Sequence, residues 1–188
     1  MAVKEGRCAV KVADVSDFWN GQKRIESLDP NITACREKRD LFAQYRDTNA
    51  EICFNQGLDI RCINEADIDD INRMRIKDLH FAWDNPKDDL ADRFEMFAKK
   101  FRRKTNIGMV YCLTNYNSTM AENLFRIYTL RDLGYDPYVM VYDKPNAPHE
   151  IRQLQRWCNS KWIFKSCPKF EDYKREDKDD DNYRMEGF

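Results

Sequence analysis

Five short strand-like runs in this chain each close on residues that can hold a polar ligand. The clusters are Asp29 and Asn31; Asn55 and Gln56; Asp84 and Asn85; Thr114, Asn115 and Asn117; Asp143 and Lys144. Carboxylates and carboxamides exchange hydrogen bonds with amines, hydroxyls and the edges of heterocycles, so a nucleoside-type molecule is the kind of ligand such a set can read. Taken singly, each cluster is also ordinary turn or helix-cap chemistry, because Asn, Asp, Pro and Gly are standard turn residues. The repetition is what points to a common site. Parallel strands would bring all these ends to one rim, where α/β folds keep their binding loops.

Other chemistries find less support. The two histidines, His80 and His149, show no H-x-x-x-H or H-E-x-x-H spacing, and His80 reads as a satisfied core or sheet residue. There is no G-x-G-x-x-G, no G-x-x-x-x-G-K-[ST] and no G-x-S-x-G. Seven cysteines, at positions 8, 35, 53, 62, 112, 158 and 167, are an odd count with wide gaps. That spacing suits neither a disulfide framework nor a zinc or cluster site, and Cys53, Cys62 and Cys112 sit in or beside apolar runs, as structural thiols do. No metal ligand or catalytic set is assigned.

The elements that must position these residues alternate. Strands are expected at 24–28, 51–54, 78–83, 107–113 and 138–142, with a short sixth at 162–164. The run at 107–113 is nearly all apolar, as a strand buried on both faces should be. Between them lie helical patterns: one capped by Thr33 with Leu41, Phe42 and Tyr45 on its apolar side; one starting at Asn64 with Ile68, Ile71 and Met74; and one marked by Leu90, Phe94, Phe97 and Phe101. A fourth runs from the Thr119/Glu122 capping box to Gly134, and a fifth covers about 148–157. Strand–helix repeats of this kind predict an α/β fold with a parallel sheet, either an open or incomplete barrel or a doubly wound sheet.

The whole chain bounds the function further. Its 188 residues suit one domain, expected over 1–173, with a charged tail at 174–188 too polar to order itself. The 32 basic and 33 acidic residues nearly cancel, so there is no basic footprint for nucleic acid. No apolar stretch approaches the roughly 18 residues of a membrane span, and no signal-peptide core opens the chain, so a cytoplasmic location is expected.

Several strings carry a family likeness. They are Phe54-Asn55-Gln56-Gly57-Leu58-Asp59-Ile60-Arg61, Phe81-Ala82-Trp83-Asp84, and Arg126-Ile127-Tyr128-Thr129-Leu130 through Gly134-Tyr135-Asp136-Pro137-Tyr138-Val139-Met140. Together with Leu28-Asp29-Pro30-Asn31-Ile32 and Arg156-Trp157-Cys158-Asn159, these resemble a bacterial and phage-associated group of radical-SAM proteins over about 4–173. The resemblance implies a partial (β/α) TIM-type barrel of five to six parallel strands with the first strand missing. In the intact family a [4Fe–4S] cluster binds S-adenosylmethionine, whose reductive cleavage gives a 5′-deoxyadenosyl radical. The C-x-x-x-C-x-x-C motif that holds the cluster is missing here. The chain is expected to begin where the cluster loop has ended, in a segment similar to Val3-Lys4-Glu5-Gly6.

Carried over by position, the resemblance puts Asp29 and Asn31 where the methionine amine is met, although the usual Gly-Gly-Glu is absent. Asn55, Gln56 and Asp59 would face cofactor or substrate, Asp84 the ribose, and Asn115 and Asn117 the loop after the next strand. Residues 138–142 would flank adenine. The expected function is therefore a truncated or inactive radical-SAM-like domain. Two alternatives remain: a fragment of an active enzyme with its cluster motif upstream, or a non-catalytic interaction module that forms a homodimer through an edge strand.

Overall fold

A computed structural model describes residues 9–173. Five strands, β1 (Arg24–Ser27), β2 (Glu51–Leu58), β3 (Arg75–Ala82), β4 (Met109–Thr114) and β5 (Asp136–Val141), form one sheet. Every neighbouring pair is parallel, and the strands lie in chain order. Parallel neighbours need crossovers, supplied by α1 (Lys38–Asp47), α2 (Glu65–Arg73), α3 (Ala91–Lys100) and α4 (Met120–Asp132). Because the strand order never reverses, there is no switch point of the doubly wound kind. Crossovers of one hand then put these helices on one face of the sheet. α5 (His149–Asn159) and α6 (Lys161–Ser166) follow β5.

Burial along the strands agrees. Leu79, Phe81, Val110, Cys112 and Val139 face the helices and are sealed, whereas the residues between them, among them Asp78, His80, Tyr111 and Tyr138, are only half-buried. The sealed side is aromatic. Phe81 meets Phe94, Phe97 and Tyr135 edge-on at 5.2–6.0 Å, and Trp83 stacks on Phe94 at 5.5 Å. A second cluster around Trp157, Leu154 and Ile127 seats α5 and α6 against the β5 end of the sheet.

Three expected elements differ. The tripeptide 162–164 is not a sixth strand but part of α6. Helical spacing turns Ile163 and Phe164 onto Trp157 and leaves Trp162 87% exposed, a split that a strand would not give. Thr33 does not cap the first helix; it lies in a 3-10 turn, Ile32–Ala34, whose cap is Asn31. The strand at 51–54 continues through an irregularity to Leu58. The tail at 174–188 lies outside the described residues. Among the described residues, no helix is long and apolar enough to cross a membrane.

α1 and α2 are held together by a buried carboxylate. Asp67 completes a capping box with Asn64, accepting from the Asn64 N–H at 2.9 Å while its own N–H donates to the Asn64 side chain at 3.0 Å. The same Oδ2 accepts from Lys38 Nζ at 2.7 Å. An Asp67→Ala exchange removes the reciprocal half of the capping box and takes the counter-charge from a largely buried ammonium, leaving Lys38 only the Cys62 carbonyl at 2.6 Å. We expect a loss of about 2 kcal/mol, read from the urea midpoint at unchanged slope.

Candidate functional site

Parallel strands place the residues that follow them on a shared rim. Asp29 and Asn31 follow β1, Asp59 follows β2, Asp84 follows β3, and Asn115 and Asn117 follow β4. Asn55 and Gln56 sit inside β2 instead, where four steps from Phe54 to Leu58 match only two from Leu79 to Phe81 on β3. The extra backbone bulges there, leaving Asn55 half-buried and Gln56 exposed.

The fold itself uses half of these side chains. Asp29 accepts from Ser27 Oγ at 2.7 Å. Asn31 Oδ1 accepts from Thr33 Oγ1 at 2.8 Å and the Ala34 N–H at 3.2 Å, and Thr33 Oγ1 accepts the Asp59 N–H at 2.9 Å, so the ends of β1 and β2 are knotted together. Asp59 takes both Arg61 Nε and an Arg61 terminal nitrogen at 2.9 Å. Burial alone would push the Asp59 carboxyl up; the Arg61 hydrogen bonds outweigh it and hold the group below its ordinary value. Asn115, in the left-handed region at φ 62°, donates to the Tyr142 carbonyl at 2.8 Å. The side chains of Asn55, Gln56, Asp84 and Asn117 make no hydrogen bond or ion pair among the described residues. These four remain free to meet a ligand.

Beneath Asp84 lies Arg126, only 1% exposed, projecting from α4. One terminal nitrogen donates to the Trp83 and Asp84 carbonyls; the other donates to the Leu113 carbonyl at 2.9 Å and to Asn123 Oδ1 at 2.7 Å. The guanidinium thus clamps the ends of β3 and β4 and fixes the backbone that carries Asp84.

A cavity of ≈ 560 Å³ opens beside the rim at β1. Asp29, Pro30, Asn31, Tyr45 and the segment 9–13 line it. Its volume is in the range of small-molecule sites, and its lining includes one carboxylate (Asp29), one carboxamide (Asn31), one phenol (Tyr45), the Cys35 thiol and the Lys11 ammonium, which is paired with Asp14 and Asp40.

Sequence reasoning did not pick out the row of polar groups on the half-open sheet face. Arg24 stands 3.1 Å from Glu26 and 4.0 Å from Asp78, and Cys53 Sγ lies 3.6 Å from Asp78. His80 Nδ1 is 3.1 Å from the Asn55 carbonyl and 3.4 Å from the Tyr111 hydroxyl, and the Tyr111 and Tyr138 rings meet at 5.7 Å. His80 is a sheet residue as expected, but on this face rather than in the core. The available signal was its place between Leu79 and Phe81: in a two-residue repeat, such a residue faces away from the apolar side.

Burial pushes Cys112 up to about 12 and raises Cys158, Cys53, Cys35 and Cys62 as well, so none of these five is held as a thiolate. Of the described thiols in the native protein, iodoacetamide should reach the half-buried Cys62 and Cys167 first. Cys112 and Cys158 should react only on unfolding, as peptide mass spectrometry with and without urea will show. Among the described residues, no group of three or more His, Cys, Asp or Glu side chains is placed to hold a metal ion. No family model, curated protein or solved structure matches the chain.

Proposed function

We propose that this chain is a radical-SAM-like domain, a partial (β/α) barrel that takes a nucleoside-bearing sulfonium of the S-adenosylmethionine type at its C-terminal rim. One observation carries the reading: a single rim of parallel strands bears polar side chains that the fold leaves unused, Asp84 and Asn117 foremost, with Asn55 and Gln56 in the neighbouring bulge. Parallel β/α barrels keep their ligand sites at the carboxyl ends of the strands. A carboxylate there suits ribose hydroxyls or a cationic amine, and carboxamides suit a base edge.

The donor set of this rim fits the nucleoside and amino-acid parts of such a ligand. Asp84 and Asn117 would hold it, with Asp29 and Asn31 at the cavity beside β1. When bound, S-adenosylmethionine supplies an electrophilic sulfonium. The residues of this chain bind and orient it, and the half-open row from Asp78 to Tyr138 offers hydrogen bonds to whatever lies over the sheet. A [4Fe–4S] cluster does not fit the described residues, since three thiolates must converge from one short loop and these thiols lie on separate elements, four buried and two half-buried. Radical generation is therefore not assigned to this chain.

Calorimetry with S-adenosylmethionine and S-adenosylhomocysteine tests the proposal. Saturable binding that Asp84→Ala with Asn117→Ala weakens about thirtyfold is the expected result, each of the two lost hydrogen bonds contributing about 1 kcal/mol. Amide spectra unmoved by millimolar ligand would refute the rim assignment. Anaerobic reconstitution with iron and sulfide is expected to leave no stable chromophore on the chain. A retained visible-absorbing cluster would overturn the second half of the proposal.

A further inference from the structure

The two edges of the sheet are treated differently. At the β5 edge, Asn159 of α5 lays its carboxamide along the strand. Its Oδ1 accepts the Val139 N–H at 2.8 Å and its Nδ2 donates to the Val139 carbonyl at 3.0 Å, with Gln155 adding a bond to that carbonyl at 3.2 Å. A side-chain amide standing in for a strand blocks further pairing, one of the ways proteins blunt an edge. The β1 edge has no such cover among the described residues. The Lys23 carbonyl turns toward β2, accepting the Glu51 N–H at 2.8 Å. In a parallel ladder, main-chain groups alternate sides along the strand, so those of Arg24 and Glu26 point outward, with no partner among the described residues.

The sequence at that edge is complementary to itself. About a twofold axis through Ile25, an antiparallel copy of β1 puts Arg24 opposite Glu26 of the partner subunit, and Glu26 opposite Arg24 of the partner subunit. Both residues are those with outward main-chain groups, so each pair is hydrogen-bonded through the backbone and oppositely charged through the side chains. Both side chains are about half exposed and already lie 3.1 Å apart within one chain, so exchanging partners requires no buried charge to move. Leu28, 66% exposed at the end of the strand, adds apolar area beside the edge.

We propose that the β1 edge is a homodimer interface in which two copies join into one continuous ten-stranded sheet through Arg24 and Glu26. The helix layers of both copies then share one face of the sheet, and the half-open faces share the other.

Sedimentation equilibrium or light scattering over a wide concentration range, with circular dichroism as the fold control, tests it on the full chain. The wild type is expected to show a reversible monomer–dimer equilibrium. Glu26→Arg, which sets like charges against each other in both pairs, is expected to weaken the dimer about tenfold, and Arg24→Glu with Glu26→Arg to restore it. Glu26→Pro removes an N–H that the monomer's own ladder does not use, so it should keep the fold while weakening dimerisation about 100-fold. A wild type that stays monomeric at high concentration overturns the proposal and leaves the edge to a strand from elsewhere. A dimer indifferent to Glu26→Pro and to charge reversal also overturns it. Neither outcome bears on ligand binding at the rim, which is read separately by calorimetry.

Discussion

Exchange of Arg126 for methionine is expected to lower the unfolding free energy by about 4 kcal/mol, among the largest effects of any single substitution here. Buried ions often contribute little net stability, and an apolar residue of similar size can replace a buried ion pair without loss. Arg126 is a different case. No carboxylate accepts its hydrogen bonds; they end on three main-chain carbonyls, of Trp83, Asp84 and Leu113, and on Asn123 Oδ1. Removing the guanidinium leaves those acceptors buried and unpaired, at a cost of about 1–3 kcal/mol each before any relaxation. Burial draws the pKa of Arg126 down and outweighs the opposing pull of the acidic groups nearby, Asp84 and Glu122 among them. Arg126→Lys keeps the charge but not the planar fork, so about half the loss is expected. Urea denaturation measures both. Hydrogen exchange at residues 83–85 should quicken in each variant, because the same clamp holds the backbone under Asp84. If Arg126→Met matched wild type in the urea midpoint, the fork would be incidental.

How far the amino acids reveal the structure depends on which force makes each element. Strands driven by continuous apolar burial were readable: residues 107–113 against the observed Met109–Thr114, and 138–142 against Asp136–Val141. Arg75 and Lys77 hid the start of β3, because charged residues on the half-open side look like loop until the alternation around Ile76 is noticed. The bulge in β2 hid Asn55 and Gln56 inside a strand, since a register shift is settled by the neighbouring strand and leaves little local trace. At the rim, residue type announced polarity but not allocation. Asn31 and Asp59 look as available as Asp84, yet the first caps a turn and the second is taken by Arg61. Competition of this kind is tertiary: Thr33 links β1 to β2 across 26 positions, beyond the reach of any local pattern. Arg126 was visible only as one letter of a family-like string. That a charged residue would be sealed against carbonyls of two strands could not be inferred from its place on a helix.

The turn that feeds β5 gives the second large effect. Gly134→Ala should destabilise the protein by about 3 kcal/mol, three times the effect of Gly21→Ala, although both glycines have strongly positive φ, 89° and 84°. The backbone term is common to both: a Cβ in the left-handed region costs about 1 kcal/mol. Their surroundings differ. A methyl at Gly21 would meet nothing within 4 Å, whereas at Gly134 it would lie 2.6 Å from the Lys104 carbonyl oxygen. That oxygen belongs to the backbone and cannot swing aside as a side chain would. The segment carrying it is also tied to the same turn, since the Ile107 N–H donates to the Gly134 carbonyl at 3.1 Å. Relieving the clash would therefore pull on the entry to β4, whose register with β5 begins at Met109 and Asp136. Urea midpoints of the two variants, measured side by side, separate the shared conformational cost from the crowding. Equal losses at the two positions would mean that the Lys104 segment yields freely and that the junction of β4 and β5 is not the tight contact described.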